Sequence, residues 1–271
     1  MARPVSPSIY HGFGANSSEY EIALIATWRA ALASSKSQDD VPFSKEDLVA
    51  HGDEIRKRGL TPRAVAVKNV PDIIYTFRAR ADLPSEILAY GDYAIVGRGK
   101  GRYAFYRIGR PNRVSPPATR NTVLVSDVIP AWARRFMSDD EQGMLTVIAS
   151  NGLVAQHLGL KRAFRLQSHL RCSVANYGQV EIDELYVGEN DAGNHVVVAV
   201  EAKDRSDHDR LNISQLYGCA QALLERYPGL QLKLLGVKPV GAGAVAMCEF
   251  SVGRTPDDII EVGEWIEYRL G

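Results

Sequence analysis

Two acidic residues and a lysine lie in two apolar segments in the second half of the chain. Asp183 lies within the mainly apolar segment 180–187, and Glu201 and Lys203 end the apolar run that follows it. Residues two apart on a strand point to the same face, so Glu201 and Lys203 share a face. If the two strands pair through the turn at 191–194, Asp183 lies beside Glu201.

Two carboxylates and an ammonium group at one strand end suit the hydrolysis of phosphodiesters. Carboxylate oxygens are the ligands that Mg²⁺ prefers, and a nearby cation can place a water molecule or help to deprotonate it. The alternative is a surface ion pair between Glu201 and Lys203, because such pairs are frequent and contribute little to stability.

Other chemistries have weaker support in the sequence. The six histidines form no closely spaced pair, and no serine lies in a Gly-x-Ser-x-Gly turn. Three widely separated cysteines argue against both a zinc module and a disulfide framework. The glycine-rich segment 97–101 lacks the Gly-Lys-Ser/Thr ending of a nucleotide-binding loop and connects two strands.

Hydrophobic periodicity predicts an α/β fold for residues 122–271, with a mixed sheet flanked by helices. A helix is predicted over 138–160 with Ser138 as its N-cap, followed by strands over 165–179, 179–190 and 195–205. The amphipathic segment 213–227 predicts a second helix, whose apolar face carries Cys219, and strands over 230–240 and 244–253 follow it.

The first part of the chain predicts a helical segment over 1–40 and a small α+β domain over 41–115. Ser44 and Asp47 fit a capping box at the start of a helix that Gly59 ends, and Thr61-Pro62 predicts another helix start. A third helix is predicted after Pro71. The aromatic and β-branched runs around 97–101 predict a hairpin with a basic tip.

The neutral total charge of the chain conceals a basic middle block. Residues 1–55 carry a net charge of −4, residues 56–135 carry +11, and residues 136–271 carry −7. A cationic segment attracts polyanions, because it displaces counterions from phosphates. A solvated basic face without a ligand is the alternative.

Helices followed by a basic hairpin resemble a winged-helix DNA-binding module. The resemblance implies that the third helix enters the major groove while the wing touches the backbone of double-stranded DNA. The expected DNA-binding residues are Arg78, Arg80, Arg98, Lys100 and Arg102. A small α+β domain with a surface hairpin is the alternative.

The segment 130–245 resembles the PD-(D/E)XK nuclease superfamily, through Ile182-Asp183 and then Glu201-Ala202-Lys203. Ile182 stands where the family usually has proline. The resemblance implies that Asp183, Glu201 and the carbonyl group of Ala202 bind Mg²⁺ and that Lys203 is the catalytic lysine. It also implies site roles for Gln215, on the helix after the last motif strand, and for Glu141, on the first helix. Glu184 points to the opposite face and is expected to be dispensable.

The sequence therefore predicts a Mg²⁺-dependent DNA endonuclease, in first place a type II restriction endonuclease. The alternatives are a repair, junction-resolving or phage-derived nuclease of the same superfamily, or a catalytically inactive DNA-binding regulator. A palindromic target favours a homodimer. No apolar run is long enough to span a membrane, and no secretory signal is evident, so a cytoplasmic protein is expected.

Overall fold

The computed structural model describes residues 7–13, 17–60 and 70–271. The chain divides into two compact units, Met1–Asn112 with Asn176–Gly178, and Arg113–Ala175 with Gln179–Gly271. The helix within the first forty residues belongs to the same unit as the α+β segment that follows it, so the structure does not separate 1–40 from 41–112.

The first unit combines short helices with a three-stranded sheet. Its elements are a 3-10 turn Pro7–Tyr10, α1 Glu19–Ser34, β1 Asp40–Ser44, α2 Lys45–Lys57, α3 Val70–Tyr75 continued by a π-helical turn Thr76–Arg80, α4 Ser85–Leu88, β2 Tyr93–Gly97 and β3 Arg102–Arg107. The sheet order is β1-β3-β2, and both pairs are antiparallel. The predicted hairpin is present as β2 and β3.

Capping residues set the helix starts in this unit. Ser18 forms a capping box with Glu21 at the start of α1, and Ser44 forms the predicted box with Asp47 at the start of α2. Gly59 follows α2 with φ +62°, a left-handed conformation that glycine adopts without strain. The helix predicted from Thr61-Pro62 begins outside the described residues.

The core of the first unit is built around Trp28 of α1. Its indole ring packs edge-on against the rings of Tyr93 and Phe105, with centroid separations of 4.8 and 5.0 Å. Phe43 of β1 stacks on Phe105 at 4.5 Å. Edge-on and offset aromatic pairs add favourable geometry to the burial of their area, so α1 is fixed on the sheet.

The second unit is a mixed α/β unit. Its elements are β4 Arg113–Val114, β5 Asn121–Val125, α5 Ala131–Arg134, α6 Glu141–Ser150, α7 Leu153–His157, β6 Arg162–Val174, β7 Gly178–Glu189, β8 His195–Ala202, β9 Leu211–Asn212, α8 Ile213–Arg226, β10 Gln231–Gly241, β11 Ala244–Phe250, a 3-10 turn Pro256–Asp258 and β12 Glu261–Leu270.

Seven of these strands form one sheet in the order β5-β12-β11-β10-β8-β7-β6. Strands β7 and β8 pair antiparallel, and β8 and β10 pair parallel, connected through α8. The predicted mixed sheet with flanking helices is therefore confirmed.

The helix predicted over 138–160 is two helices. Asp140, not Ser138, caps α6, because its side chain accepts a hydrogen bond from the Gly143 N–H. Gly152 has φ +64° and separates α6 from α7. The apolar pattern continues across this break and therefore predicts one helix. Such a pattern does not reveal a change in backbone conformation at a single residue.

No helix in the described part of the chain is long and apolar enough to cross a membrane.

Candidate active site

The register of β7 and β8 places Asp183 beside Glu201. Glu184 lies opposite Val200 in this antiparallel pair, so the preceding residue Asp183 lies opposite Glu201. The Ala202 N–H donates a hydrogen bond of 2.8 Å to Asp183 Oδ2. The backbone of one strand thus orients the carboxylate of the other.

Glu201 and Lys203 form a buried ion pair. Lys203 Nζ donates to Glu201 Oε1 at 2.8 Å, and the two residues are only 2% and 7% exposed. Charged side chains are rarely buried unless they are paired, because removal from water disfavours an isolated charge. The pair is therefore not a surface ion pair at a strand end.

Neighbouring elements explain this burial. Strand β8 lies between β7 and β10, and α8 packs on its face. Cys219 of α8 places its Sγ 3.8 Å from Glu201 Oε2. The apolar face predicted for α8 is buried as expected, with Ile213, Leu216, Cys219, Ala220 and Leu223 all inaccessible to water.

The carboxylates at this strand end repel one another in a poorly hydrated environment. Burial, together with the charges of Glu201 and Glu141, raises the pKa of Asp183 to about 9. Burial also raises the pKa of Glu141 to about 7, against the opposing influence of Lys203. Burial disfavours the charged form of Lys203, yet the combined attraction of Glu201 and nearby aspartates holds its pKa above the ordinary value.

The donor set fits a hard divalent cation. Asp183 and Glu201 supply carboxylate oxygens, and the Ala202 carbonyl belongs to the same strand end. Burial and mutual repulsion disfavour the charged forms of Asp183 and Glu141, as their raised pKa values show, and a bound cation would favour those charged forms. Within residues 7–13, 17–60 and 70–271, no three or more His, Cys, Asp or Glu side chains are arranged as a metal cluster.

The resemblance also implies site roles for Glu141 and Gln215, and these two residues have different surroundings. Glu141 is the first residue of α6 and interacts electrostatically with Asp183, Glu201 and Lys203. Gln215 lies in the first turn of α8, where its Oε1 accepts a hydrogen bond of 2.9 Å from Asn212 Nδ2. The contacts therefore connect Gln215 to the start of its own helix.

The five basic residues expected to bind DNA lie in the first unit and have different environments. Arg98 forms an ion pair of 2.8 Å with Asp40. The guanidinium group of Arg78 lies over the ring of Tyr177, and that of Arg80 lies over Tyr75. The side chains of Lys100 and Arg102 are exposed at the hairpin. These two are the most accessible cations of the predicted wing.

Glu184 lies on the opposite face from Asp183 and has a structural environment of its own. It is fully buried, and its carboxylate accepts hydrogen bonds from Arg165 Nη1 at 2.7 Å and from the Tyr186 hydroxyl. The expectation that Glu184 is dispensable therefore applies to the chemistry of the site and not to the stability of the fold.

We expect the substitution Glu184→Ala to lower the free energy of unfolding by about 1–3 kcal/mol, because it leaves the buried Tyr186 hydroxyl without its acceptor. Urea denaturation measures this loss. Glu184→Gln retains an acceptor and is expected to lose less. Equal stability of the wild type and Glu184→Ala would contradict the buried environment of this carboxylate.

One residue near the site was missed by the sequence analysis. Lys238 of β10 is only 6% exposed, and its Nζ donates to backbone carbonyl groups of the loop that follows Lys203. The only signal in the sequence is a single lysine inside the apolar segment 234–240. Such a signal does not identify a partner.

Comparisons of the chain with models of protein families, with curated proteins and with solved structures find no significant match.

Proposed function

We propose that this chain is a divalent-metal-dependent DNA endonuclease of the PD-(D/E)XK type, and that its role is that of a type II restriction endonuclease. One observation carries the proposal: Asp183 and Glu201 are paired on adjacent strands, and the buried Lys203 contacts Glu201 directly. Two carboxylates and a lysine are the groups that the resemblance requires at one strand end.

The order of elements around the site supports the same proposal. Helices α6 and α7 are followed by strands β6, β7 and β8, and then by the two-residue strand β9, α8 and β10. The acidic residues lie on the second and third of these strands, and β10 pairs parallel to the third. This order agrees with the helix, three strands, helix and strand that hydrophobic periodicity predicts over residues 138–240.

The side chains of the chain have distinct roles in the proposed reaction. The Ala202 N–H fixes the Asp183 carboxylate, and Lys203 and Cys219 contact the two oxygens of Glu201. Lys203 keeps its proton, because its pKa is held above the ordinary value, and its charge is available to the developing negative charge on a phosphate. A divalent ion held by Asp183, Glu201 and the Ala202 carbonyl would neutralise phosphate charge and acidify a water molecule.

The first unit supports the proposed DNA-binding role. In its described residues the helices and strands follow the order helix, strand, three helices and two strands, and β2 and β3 form a hairpin. The exposed side chains of Lys100 and Arg102 lie at the tip and start of the second hairpin strand. A winged-helix module would place these cations against the phosphate backbone.

We expect the double substitution Lys100→Ala and Arg102→Ala to weaken binding to duplex DNA and to reduce the slope of log K against log salt concentration by about 2, because each phosphate contact contributes about 0.9 to that slope. Fluorescence anisotropy at several salt concentrations measures both effects. Arg98 is paired with Asp40, so its additional removal is expected to change the slope less.

The double substitution Lys161→Ala and Arg162→Ala is the matched control. It removes the same charge from the second unit, where both residues pair with Glu189. An unchanged salt slope in the Lys100/Arg102 variant would contradict the wing interpretation and leave the nuclease proposal intact.

Incubation of supercoiled plasmid with the protein tests the proposed function. Nicking or linearisation in Mg²⁺ that EDTA abolishes supports an endonuclease, and absence of cleavage together with tight DNA binding supports an inactive regulator. Discrete fragments support a restriction enzyme, whereas a smear supports a repair nuclease.

A further inference from the structure

The ammonium group of Lys238 is enclosed by backbone carbonyl groups of a single loop. Its Nζ donates to the carbonyl oxygens of Asp204 and Ser206, both at 2.8 Å, and of Asp209 at 2.5 Å. Lysine has three donors and no acceptor, so these three bonds satisfy the group completely. The residue is only 6% exposed, and the charges of Asp204, Asp207 and Asp209 in the same loop attract its ammonium group.

Backbone carbonyl oxygens that converge on one positive charge are the usual ligands of a bound cation. Here the cation is covalently attached to strand β10. Two hydrogen bonds within the loop also restrain its conformation. Asp209 Oδ2 accepts from the Asp204 N–H at 2.8 Å, and Asp204 Oδ1 accepts from the Ser206 N–H at 2.6 Å. Without the positive charge, three carbonyl dipoles would face one another across the loop.

This loop begins directly after the proposed catalytic lysine. The Lys203 N–H donates to the Val237 carbonyl at 3.1 Å, and Val237 precedes Lys238 on β10. Asp209, at the end of the loop, interacts electrostatically with both Lys203 and Glu141. Two neighbouring residues of β10 therefore hold both the start and the end of the segment that carries Lys203.

We propose that Lys238 is a positioning residue, whose ammonium group acts as a tethered cation that organises the loop 204–209 and thereby fixes Lys203 at the site. This inference rests on the proposed function for its catalytic consequence. Its structural part, the organisation of the loop by the cation, is independent of that function.

Three variants test the inference. Lys238→Met keeps an unbranched apolar side chain without charge or donors, and Lys238→Ala also opens space where the ammonium group was. Lys233→Met is the matched control, because Lys233 lies on the same strand and pairs with Glu249 at 2.8 Å instead of with the loop. A cavity of about 380 Å³ is lined in part by Arg205, Asp207 and Lys238.

Two readouts are measured for each variant of the full chain. Hydrogen exchange of the loop amides is expected to accelerate in Lys238→Met and Lys238→Ala and to stay as in the wild type in Lys233→Met. In plasmid cleavage, kcat is expected to fall about 10²-fold, since misplacement of a catalytic group by about 1 Å has an effect of that size. KM for DNA is expected to change little, because the loss concerns the transition state.

Methylammonium is expected to restore both loop protection and kcat in Lys238→Ala but not in Lys238→Met, where the side chain still fills the space. Thermal denaturation verifies that the variants are folded. Lys238→Gln, which retains an N–H donor, replaces any variant that does not fold.

Normal loop protection and normal kcat in Lys238→Met would overturn the inference. So would a disordered loop in Lys238→Ala that methylammonium fails to restore. A wild-type chain that does not cleave DNA in Mg²⁺ contradicts the proposed function, and in that case loop protection alone decides whether Lys238 organises the loop.

Discussion

The substitution Asp183→Asn is expected to lower Mg²⁺-dependent cleavage by about 10³-fold or more. A bound metal contributes several kcal/mol to phosphodiester hydrolysis, and each 1.36 kcal/mol corresponds to a factor of ten in rate. Asparagine retains an oxygen that can accept from the Ala202 N–H, so the local geometry is preserved while the anionic ligand is lost. Plasmid cleavage and isothermal titration with Mn²⁺ or Mg²⁺ measure the two losses.

The same substitution is expected to raise the melting temperature of the metal-free protein. It removes one member of a group of half-buried and buried carboxylates that repel one another, namely Asp183, Glu201 and Glu141. Reduced activity with increased stability is characteristic of residues selected for function.

Glu189→Gln is the control for this prediction. Glu189 lies on the same strand as Asp183, but its carboxylate pairs with Arg162 at the surface. Normal metal affinity and normal cleavage in Asp183→Asn would show that this carboxylate is not a ligand.

The substitution Lys203→Met is expected to lower kcat by about 10²–10³-fold, the effect of removing one group that stabilises developing charge. Affinity for DNA is expected to stay close to that of the wild type, because a residue that is 7% exposed contributes little to the accessible surface. Lys203→Arg is not expected to restore the rate, since a planar guanidinium does not replace a compact ammonium group in a closed site.

Stability must be measured alongside the rate for Lys203. Its removal leaves Glu201 buried without its partner, and breaking a buried ion pair costs about 3–5 kcal/mol. Lys161→Met is the control, because Lys161 is a surface lysine that is 62% exposed. If folded Lys203→Met cuts DNA at the normal rate, the Glu201-Ala202-Lys203 interpretation is wrong and the proposed nuclease function is wrong with it.

Local patterns in the sequence predict the elements that carry the site. Alternating apolar residues in β7 and the apolar run in β8 predict two strands, and the turn between them predicts their pairing. The spacing of Ile213, Leu216 and Leu223 predicts the buried face of α8. These patterns suffice to bring Asp183 and Glu201 together, because the two strands are consecutive in the chain.

Long-range pairing limits what the sequence predicts elsewhere. The polar segment 34–40 contains no pattern that predicts a strand, yet Asp40 begins the edge strand β1, which pairs with the distant β3. The C-terminal strand β12 was not assigned, since its burial depends on β5 and β11 on either side. A pattern within one segment does not identify partners that lie far away in the chain.

The environment of the site was predictable only in part. Burial of Lys203 depends on α8 and β10, which are its neighbours only in the folded chain. The role of Lys238 depends on carbonyl groups of a loop, and every residue has a carbonyl group, so no side-chain pattern reveals it. Gln215 accepts a hydrogen bond from Asn212 in the turn before its helix, and the apolar spacing of α8 does not reveal this contact.

The parallel pair β5 and β12 has a consequence for how the second unit folds. Asn121 lies opposite Ile266, so this pair joins strands from the two ends of the unit. Consecutive strands such as β7 and β8 close a short loop, whereas the β5–β12 pair closes nearly the whole unit at a larger entropic cost. The strands that carry Asp183 and Glu201 can therefore assemble before the last strand is added. A chain still lacking β12 presents the edge of β11 to other chains, which makes the late folding stage the one most exposed to aggregation.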